Sequence, residues 1–265
     1  TDLFSGAILP GLLLSSLYIG YCLIRCQINP KMGPSLPEEE RKMPKDQLLK
    51  ELFMGVLPVA IIIFFTLGTI LLGICTPTDA AAFGCFAAFC LTVGTRKISW
   101  KNFKLSVFST VKITAMIMLL LAASNFFGAV FSRLGTANLI SNFMLGLGLP
   151  SGIMLVLILM VVFVLAWPLE WIPIVVIYLP ILLPVIKQCG WNMTWFCVLV
   201  AVCLQTAWLS PPVALSAYFL KGVVPEWDLK DIYLGMLQFM VLQIIGVIIV
   251  ALFPQIVLWL PTLGK

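Results

Sequence analysis

The chain has 265 residues, 62% of them hydrophobic and only 10% charged. Soluble domains carry about 25% charged residues, so the composition excludes a water-soluble fold and indicates an all-α polytopic membrane protein. There is no histidine, which removes the usual metal ligand and acid–base group of membrane-embedded enzymes, and an enzyme is not expected. The +5 net charge is spread as topology signals and does not argue for nucleic-acid binding.

The first apolar helix is expected over 1–25. A connector rich in proline and charge, NPKMGPSLPEEERKMPKD, makes 26–46 the best linker candidate. A second span covers 47–75. Thr76-Pro77-Thr78-Asp79 then reads as a helix start, with proline at the first helical position and an acid in the first turn. It opens a third span, 77–94, whose alanines and glycines permit close helix approach. Arg96, Lys97, Lys101 and Lys104 mark a membrane edge. Residues 100–110 are amphipathic and are expected to lie along the interface, ahead of a span over 111–133. Residues 135–149 read as a weakly polar surface stretch.

Two short apolar runs, 153–165 and 172–185, flank Ala166-Trp167-Pro168-Leu169-Glu170-Trp171. Arms of this length joined by a Pro/Glu turn read as a re-entrant hairpin over 151–188 with its tip at membrane depth, or else as two short spans with a surface loop. Next comes WFCVLVAVCLQTAWLSPPVALSAYF, long enough to cross a bilayer but interrupted by Gln205, Thr206, Ser210, Pro211 and Pro212. Two successive prolines remove two backbone donors and clash with the preceding turn, so a helix must break near Ser210. Lipid cannot satisfy the freed carbonyls. A broken helix is therefore expected over 192–221, buried in protein or facing a hydrated site. A final helix covers 229–260. The eight cysteines form no CxxC pair and read as small hydrophobic residues buried in helices.

Charge sets the orientation. If the first helix ends in the cytoplasm, then Arg25, Lys31, Arg41, Lys42, Lys45, Lys50, Arg96, Lys97, Lys101, Lys104, Lys221 and Lys230 are all cytoplasmic, provided the hairpin does not cross. Only Arg133, Lys187 and Lys265 fall outside, with Lys112 assigned to neither side, a strong positive-inside bias. The chain also echoes itself. Asp2, Phe4 and Gly6 open the first helix as Asp231, Tyr233 and Gly235 open the last, and in this topology the two helices run in opposite directions. The expectation is that 1–25 is the last helix of a first repeat and 47–265 a second, inverted one. Within it, 47–133 and 229–260 would be arm and scaffold helices. The start at Thr1, without a methionine or a basic leader, suits a fragment, a processed product or a split subunit.

Segment by segment, GICTPTDAAAFGCFAAF, LEWIPIVVIYLPILLPVIKQCG, WFCVLVAVCLQTAWLSPPVALSAYFLKGVVP and DIYLGMLQFMVLQIIGVIIVALFPQIVLWLP resemble the C-terminal half of the large membrane subunit of tripartite ATP-independent periplasmic (TRAP) transporters. LEWI and the LQT–SPP pair look closest to the branch labelled mannitol/chloroaromatic, a label that is a poor guide to substrate. The resemblance implies an elevator-type, sodium-driven secondary transporter of the bacterial inner membrane that carries organic acids. It implies no cofactor beyond Na⁺ as coupling ion. The implied partners are a small four-helix membrane subunit, a periplasmic substrate-binding protein and the first-repeat half of the large subunit. Relative to the family, Glu170 replaces an aspartate, Ala166 a glycine and Ser210 a threonine, and Pro168 and Pro173 are unusual.

The candidate site follows from helix ends at membrane depth. Helix N-termini from Ile172 and Val213 suit a substrate carboxylate. Carbonyls near Ala166, Pro168, Thr206, Ala207 and Ser210, with the Thr206 and Ser210 hydroxyls, offer hard oxygens to Na⁺. Thr76 and Thr78 are further candidates, set against a simple helix cap. Glu170 is the one acid between Asp79 and Glu226, and a carboxylate at that depth is a functional hypothesis by default. With Trp167, Trp171, Gln205 and Ser210 it forms the candidate substrate set. The other reading is a structural or assembly subunit with no ion or substrate site of its own.

Overall fold

A computed structural model describes the chain apart from residues 1, 31–32, 34–43, 97, 170, 212–213 and 264–265 and the side chains of Lys45, Ser132, Ala137 and Leu215. Among the described residues every regular element is helical. Six helices among the described residues are long and apolar enough to cross a membrane, as the composition requires. Most of the 26–46 linker lies outside the described residues. The chain forms two units, one of Leu3–Ser5 and Gly20–Lys112, the other of Gly6–Ile19 and Ile113–Lys265. Helix α1 (Asp2–Ile28) and helix α4 (Trp100–Arg133) contribute to both.

In the first unit, α2 begins at Lys45–Ile63, passes through a π-helical turn at Phe64–Gly68 and ends at Thr69–Leu71. Thr66 and Thr69 lie at that turn and donate to the carbonyls of Ile62 (2.8 Å) and Phe65 (2.9 Å), back-bonding that bends helices. Helix α3 (Pro77–Gly94) packs on it through Gly84, where a Cβ would lie 2.2 Å from the Thr66 methyl. The small-residue reading of 77–94 has its reason here. Helix α4 is one continuous helix of 34 residues, so the amphipathic residues 100–110 and the span expected over 111–133 belong to one element. No proline interrupts it, and the Ser106 and Thr110 hydroxyls donate to carbonyls four residues back without breaking the helix.

The second unit holds the main core. Helix α5 (Thr136–Gly146) corrects the expected surface stretch: Ser141 and Met144 are buried, and the helix packs on the end of α7. Helix α6 (Ser151–Leu165) buries Met154, Leu155, Ile158 and Val162, one stripe at helical spacing. Helix α7 runs Trp171–Gln188, with a π-helical turn at Ile174–Tyr178. Pro180 removes the N–H that the Val176 carbonyl would accept, which is a sufficient cause for the irregular turn. At 18 residues α7 meets the length for a span, so helix length alone does not separate re-entry from crossing.

Helix α8 (Met193–Leu204) is buried on nearly every side and forms the centre of the core, with Phe196 and Leu199 fully enclosed. It continues as a 3₁₀ turn, Gln205–Trp208, and helix resumes as α9 (Leu215–Val223). Helix α10 (Leu229–Leu252) packs on α8 and α9. The single final helix expected over 229–260 is in fact two, because Pro254 separates α10 from α11 (Gln255–Leu263). Pro254 leaves the Val250 carbonyl without its backbone donor, and Trp195 Nε1 fills the gap at 3.0 Å, fully buried.

Helix α1 lies antiparallel to α10 and α11 within this unit. Gly6 faces Val257, Leu14 faces Gly246, and the Tyr18 ring meets Phe239 edge-on at 5.3 Å. The α1 stripe of Gly6, Pro10 and Leu14 is buried as a result. Of the cysteines only Cys203 is buried; Cys22, Cys85 and Cys90 are exposed in the chain. The expected burial within the chain therefore holds for Cys203 and not for these three.

Candidate functional site

Around the break in α8, side chains take over the work of missing backbone donors. Pro211 cannot donate to the Ala207 carbonyl, and Ser210 Oγ donates to it instead, at 3.5 Å. Thr206 Oγ1 donates to the Cys203 carbonyl at 2.7 Å. Ser210 N–H still reaches Thr206 O at 3.0 Å, so the chain leaves the helix through one tightened turn. Thr206 and Ser210 are both 0% exposed. The sequence placed the break at Ser210; α-helical geometry already ends at Leu204. The prolines act backwards, since each clashes with the carbonyl four residues before it.

The Val202 carbonyl is held from another helix. Gln243, in the middle of α10 and 0% exposed, donates Nε2 to Val202 O at 2.7 Å and to Gln205 Oε1 at 3.1 Å. Tyr18 Oη of α1 donates to Gln243 Oε1. Neither Gln243 nor Tyr18 stands in the sequence-derived site. Their signal is a glutamine, one of two, within an apolar helix and an aromatic hydroxyl on the helix that echoes it. Gln205, assigned to substrate, is exposed and joins this network through its oxygen.

The segment between α6 and α7, the tip of the hairpin that the sequence leads one to expect, supplies the rest. Ala166 (0% exposed) and Ala207 (3%) belong to one buried cluster with Ile174, Cys203 and Leu204, so tip and break share a core. Trp167, Pro168 and Trp171 are exposed, and the Trp167 ring packs edge-on against Phe163 at 5.9 Å. Glu170, and the α9 start expected at Val213, lie outside the described residues; α9 begins at Leu215 behind a fully buried Ala214. Thr206 also borders a groove of about 340 Å³ lined by Leu159, Met160, Phe163, Val247 and Ile248. Its walls are too apolar for an organic anion.

Thr76 and Thr78 belong to the other unit. Thr76 makes a reciprocal cap: Asp79 N–H donates to Thr76 Oγ1 at 3.3 Å, Thr76 N–H donates to Asp79 Oδ2 at 3.3 Å, and the Thr76 hydroxyl donates to the same carboxylate at 2.6 Å. Thr78 is exposed beside it. Among the described residues no group of three or more His, Cys, Asp or Glu side chains could hold a metal ion. The oxygens gathered at the break are neutral hydroxyls and carbonyls, a donor set that fits a monovalent hard cation.

Comparison with known proteins gives the family. The chain is 28% identical to the sialic acid TRAP transporter large permease protein SiaM of Vibrio cholerae over 264 residues, 98% of this chain and 60% of the relative. It is 23% identical to the C4-dicarboxylate TRAP transporter large permease protein DctM of Rhodobacter capsulatus, covering 99% of this chain and 58% of the relative. It is 28% identical to the isethionate TRAP transporter permease protein DctMQ of Oleidesulfovibrio alaskensis, covering 83% and 34%. The chain thus spans about three fifths or less of the length of these relatives. The family model for the DctM component of the tripartite ATP-independent periplasmic transporter matches residues 1–256. The chain belongs to this family of inner-membrane transporter subunits, which are not enzymes.

Proposed function

We propose that the chain is the second half of the membrane subunit of a sodium-coupled secondary transporter that imports a small organic acid. The observation that carries this reading is the buried break of α8, where the Thr206 and Ser210 hydroxyls sit on carbonyls of their own turn with no exposure. Each hydroxyl oxygen already lies beside a carbonyl oxygen. Rotation of the hydroxyl turns a donor–acceptor pair into two neutral ligands for one Na⁺, with the Ala166 and Pro168 carbonyls at the tip as further candidates.

The anion side of the site would draw on the positive helix ends at the starts of α7 and α9, with Trp167, Trp171 and Gln205 as candidate contacts and Glu170 added from the sequence alone. Sialic acid, C4-dicarboxylate and isethionate, named for the relatives, are all organic acids, which supports that substrate class. The mannitol/chloroaromatic branch resemblance narrows it no further. A periplasmic binding protein would deliver the acid, and a small four-helix subunit and a first repeat would complete the membrane complex. The antiparallel packing of α1 on α10, with the matched Asp–aromatic–Gly openings, supports inverted repeats and an elevator-type movement of the site.

The test is uptake by the complete complex in proteoliposomes, with the binding protein supplied outside. N-acetylneuraminate, succinate and isethionate are offered under a NaCl or a choline chloride gradient. At least one acid should accumulate in NaCl alone; equal uptake in choline removes the sodium coupling. Glu170→Gln should lose most uptake while the complex still assembles, and wild-type uptake by that variant would return Glu170 to a structural role. Cysteines placed at Gly152 and Asn192 should both label from outside if the hairpin re-enters, and cytoplasmic labelling of either excludes re-entry.

A further inference from the structure

Gln243 is a fully buried amide in the middle of an apolar membrane helix, and every one of its recorded partners bears on the broken helix or on α1. Its orientation is decided by chemistry. The Val202 carbonyl can only accept, so the atom facing it at 2.7 Å is the nitrogen. That leaves Oε1 toward Tyr18, whose hydroxyl donates to it. The second N–H of Gln243 is then directed at Gln205, and it demands an acceptor. Gln205 answers with Oε1 at 3.1 Å. Once its oxygen is held there, the Nε2 group of Gln205 faces away from Gln243, on an exposed side chain at the end of the broken helix.

The chain of donors therefore has one direction: Tyr18 to Gln243, Gln243 to Gln205, and Gln205 outward. A free glutamine side chain can present either its oxygen or its nitrogen. This one is denied the choice. We propose that Gln243 is a positioning residue that fixes the amide polarity of Gln205, so that Gln205 meets an organic anion with N–H donors. The inference rests on the transport reading and names how the acid group is recognised. A carboxylate or sulfonate accepts from such an amide, whereas a neutral polyol gains no charge-assisted bond from it.

The experiment measures thermal stabilisation of the detergent-solubilised complete complex, titrated separately with NaCl (choline chloride as control) and, at fixed NaCl, with succinate, N-acetylneuraminate and isethionate. Wild type should be stabilised by at least one acid. Gln205→Glu keeps an acceptor for Gln243 but turns a negative charge outward. It should raise the acid midpoint more than tenfold and change the Na⁺ midpoint less than twofold. Gln243→Leu frees Gln205 to rotate and should raise the acid midpoint three- to tenfold, again with little change for Na⁺. A purely structural role for Gln243 would lower the unfolding temperature without separating the two midpoints, and that result overturns the proposal. So does an unchanged acid midpoint in Gln205→Glu, the variant at an exposed position that avoids the core, or the absence of stabilisation of wild type by all three acids. Loss of the Na⁺ response in wild type, with the acid response intact, would instead count against the sodium reading and leave the Gln243 assignment standing.

Discussion

At Thr76–Asp79 a hydroxyl, a proline and a carboxylate start helix α3; at Thr206–Pro211 two hydroxyls and a proline end helix α8. The residue types are nearly shared, and their fates differ. The first end is exposed and closes on itself, each polar group paired within three residues by the reciprocal cap. The second is buried, and its carbonyls draw donors from the same turn and from α10, far away in sequence. An exposed helix end can leave groups to water and needs only a local cap. A buried one must be satisfied from within the protein, because an unpaired carbonyl away from water costs about 1–3 kcal/mol. That demand is what concentrates oxygens in one place at the second end, the one proposed above to take the ion, and not at the first.

If the contrast is right, the broken helix is also the stability centre. Phe196→Ala, at a fully buried position, should cost about 3–5 kcal/mol of unfolding free energy in detergent. Phe53→Ala, at a site 60% exposed in the first unit, should stay within about 0.5 kcal/mol. Equal losses would break the comparison. The next effect tests satisfaction of a proline-orphaned carbonyl. Trp195→Phe removes the donor to Val250 O and should cost about 1–3 kcal/mol. Adding Pro254→Ala restores a backbone N–H, so the double variant should recover part of that loss.

A smaller effect in energy, but a sharper one in function, concerns the hydroxyls. Thr206→Val combined with Ser210→Ala should raise the Na⁺ concentration for half-maximal uptake about tenfold, equivalent to about 1.4 kcal/mol. The smallest is at the other helix end. Thr76→Ala should lower stability by about 1 kcal/mol through loss of the cap and leave the Na⁺ dependence where it was. A shifted Na⁺ midpoint in Thr76→Ala would show that the exposed turn also serves the ion.

Local features were legible in the chain as written. Thr76-Pro77-Thr78-Asp79 announced its cap, and the Ser-Pro-Pro run announced a break, because proline acts on its own backbone neighbours. The two apolar runs expected over 153–165 and 172–185 match helices over 151–165 and 171–188 to within a few residues. Other elements were misread for equally physical reasons. Residues 136–146 looked like a polar surface stretch, yet the face carrying Ser141 and Met144 had a partner in α7 that no local pattern reveals. Residues 100–133 looked like two elements because amphipathicity changes along them, yet nothing in that backbone breaks a helix. The break at Pro254 went unremarked inside a strongly apolar run.

The sequence by itself determined the class, the rough limits of most apolar helices, the loop charges and the region of the polar break, since each depends on composition or on residues within one turn of one another. Only the tertiary structure decided which polar groups answer which. Val250 O meets Trp195, Val202 O meets Gln243, and Gln243 meets both Tyr18 and Gln205. These partners lie on different helices, and a buried donor finds its acceptor by packing and not by spacing along the chain. The tertiary structure likewise assigned Thr206 and Ser210 to complete burial and Thr76 to an exposed cap. The desolvation of a hydroxyl is set by the helices around it, and α8 is enclosed where the start of α3 is not.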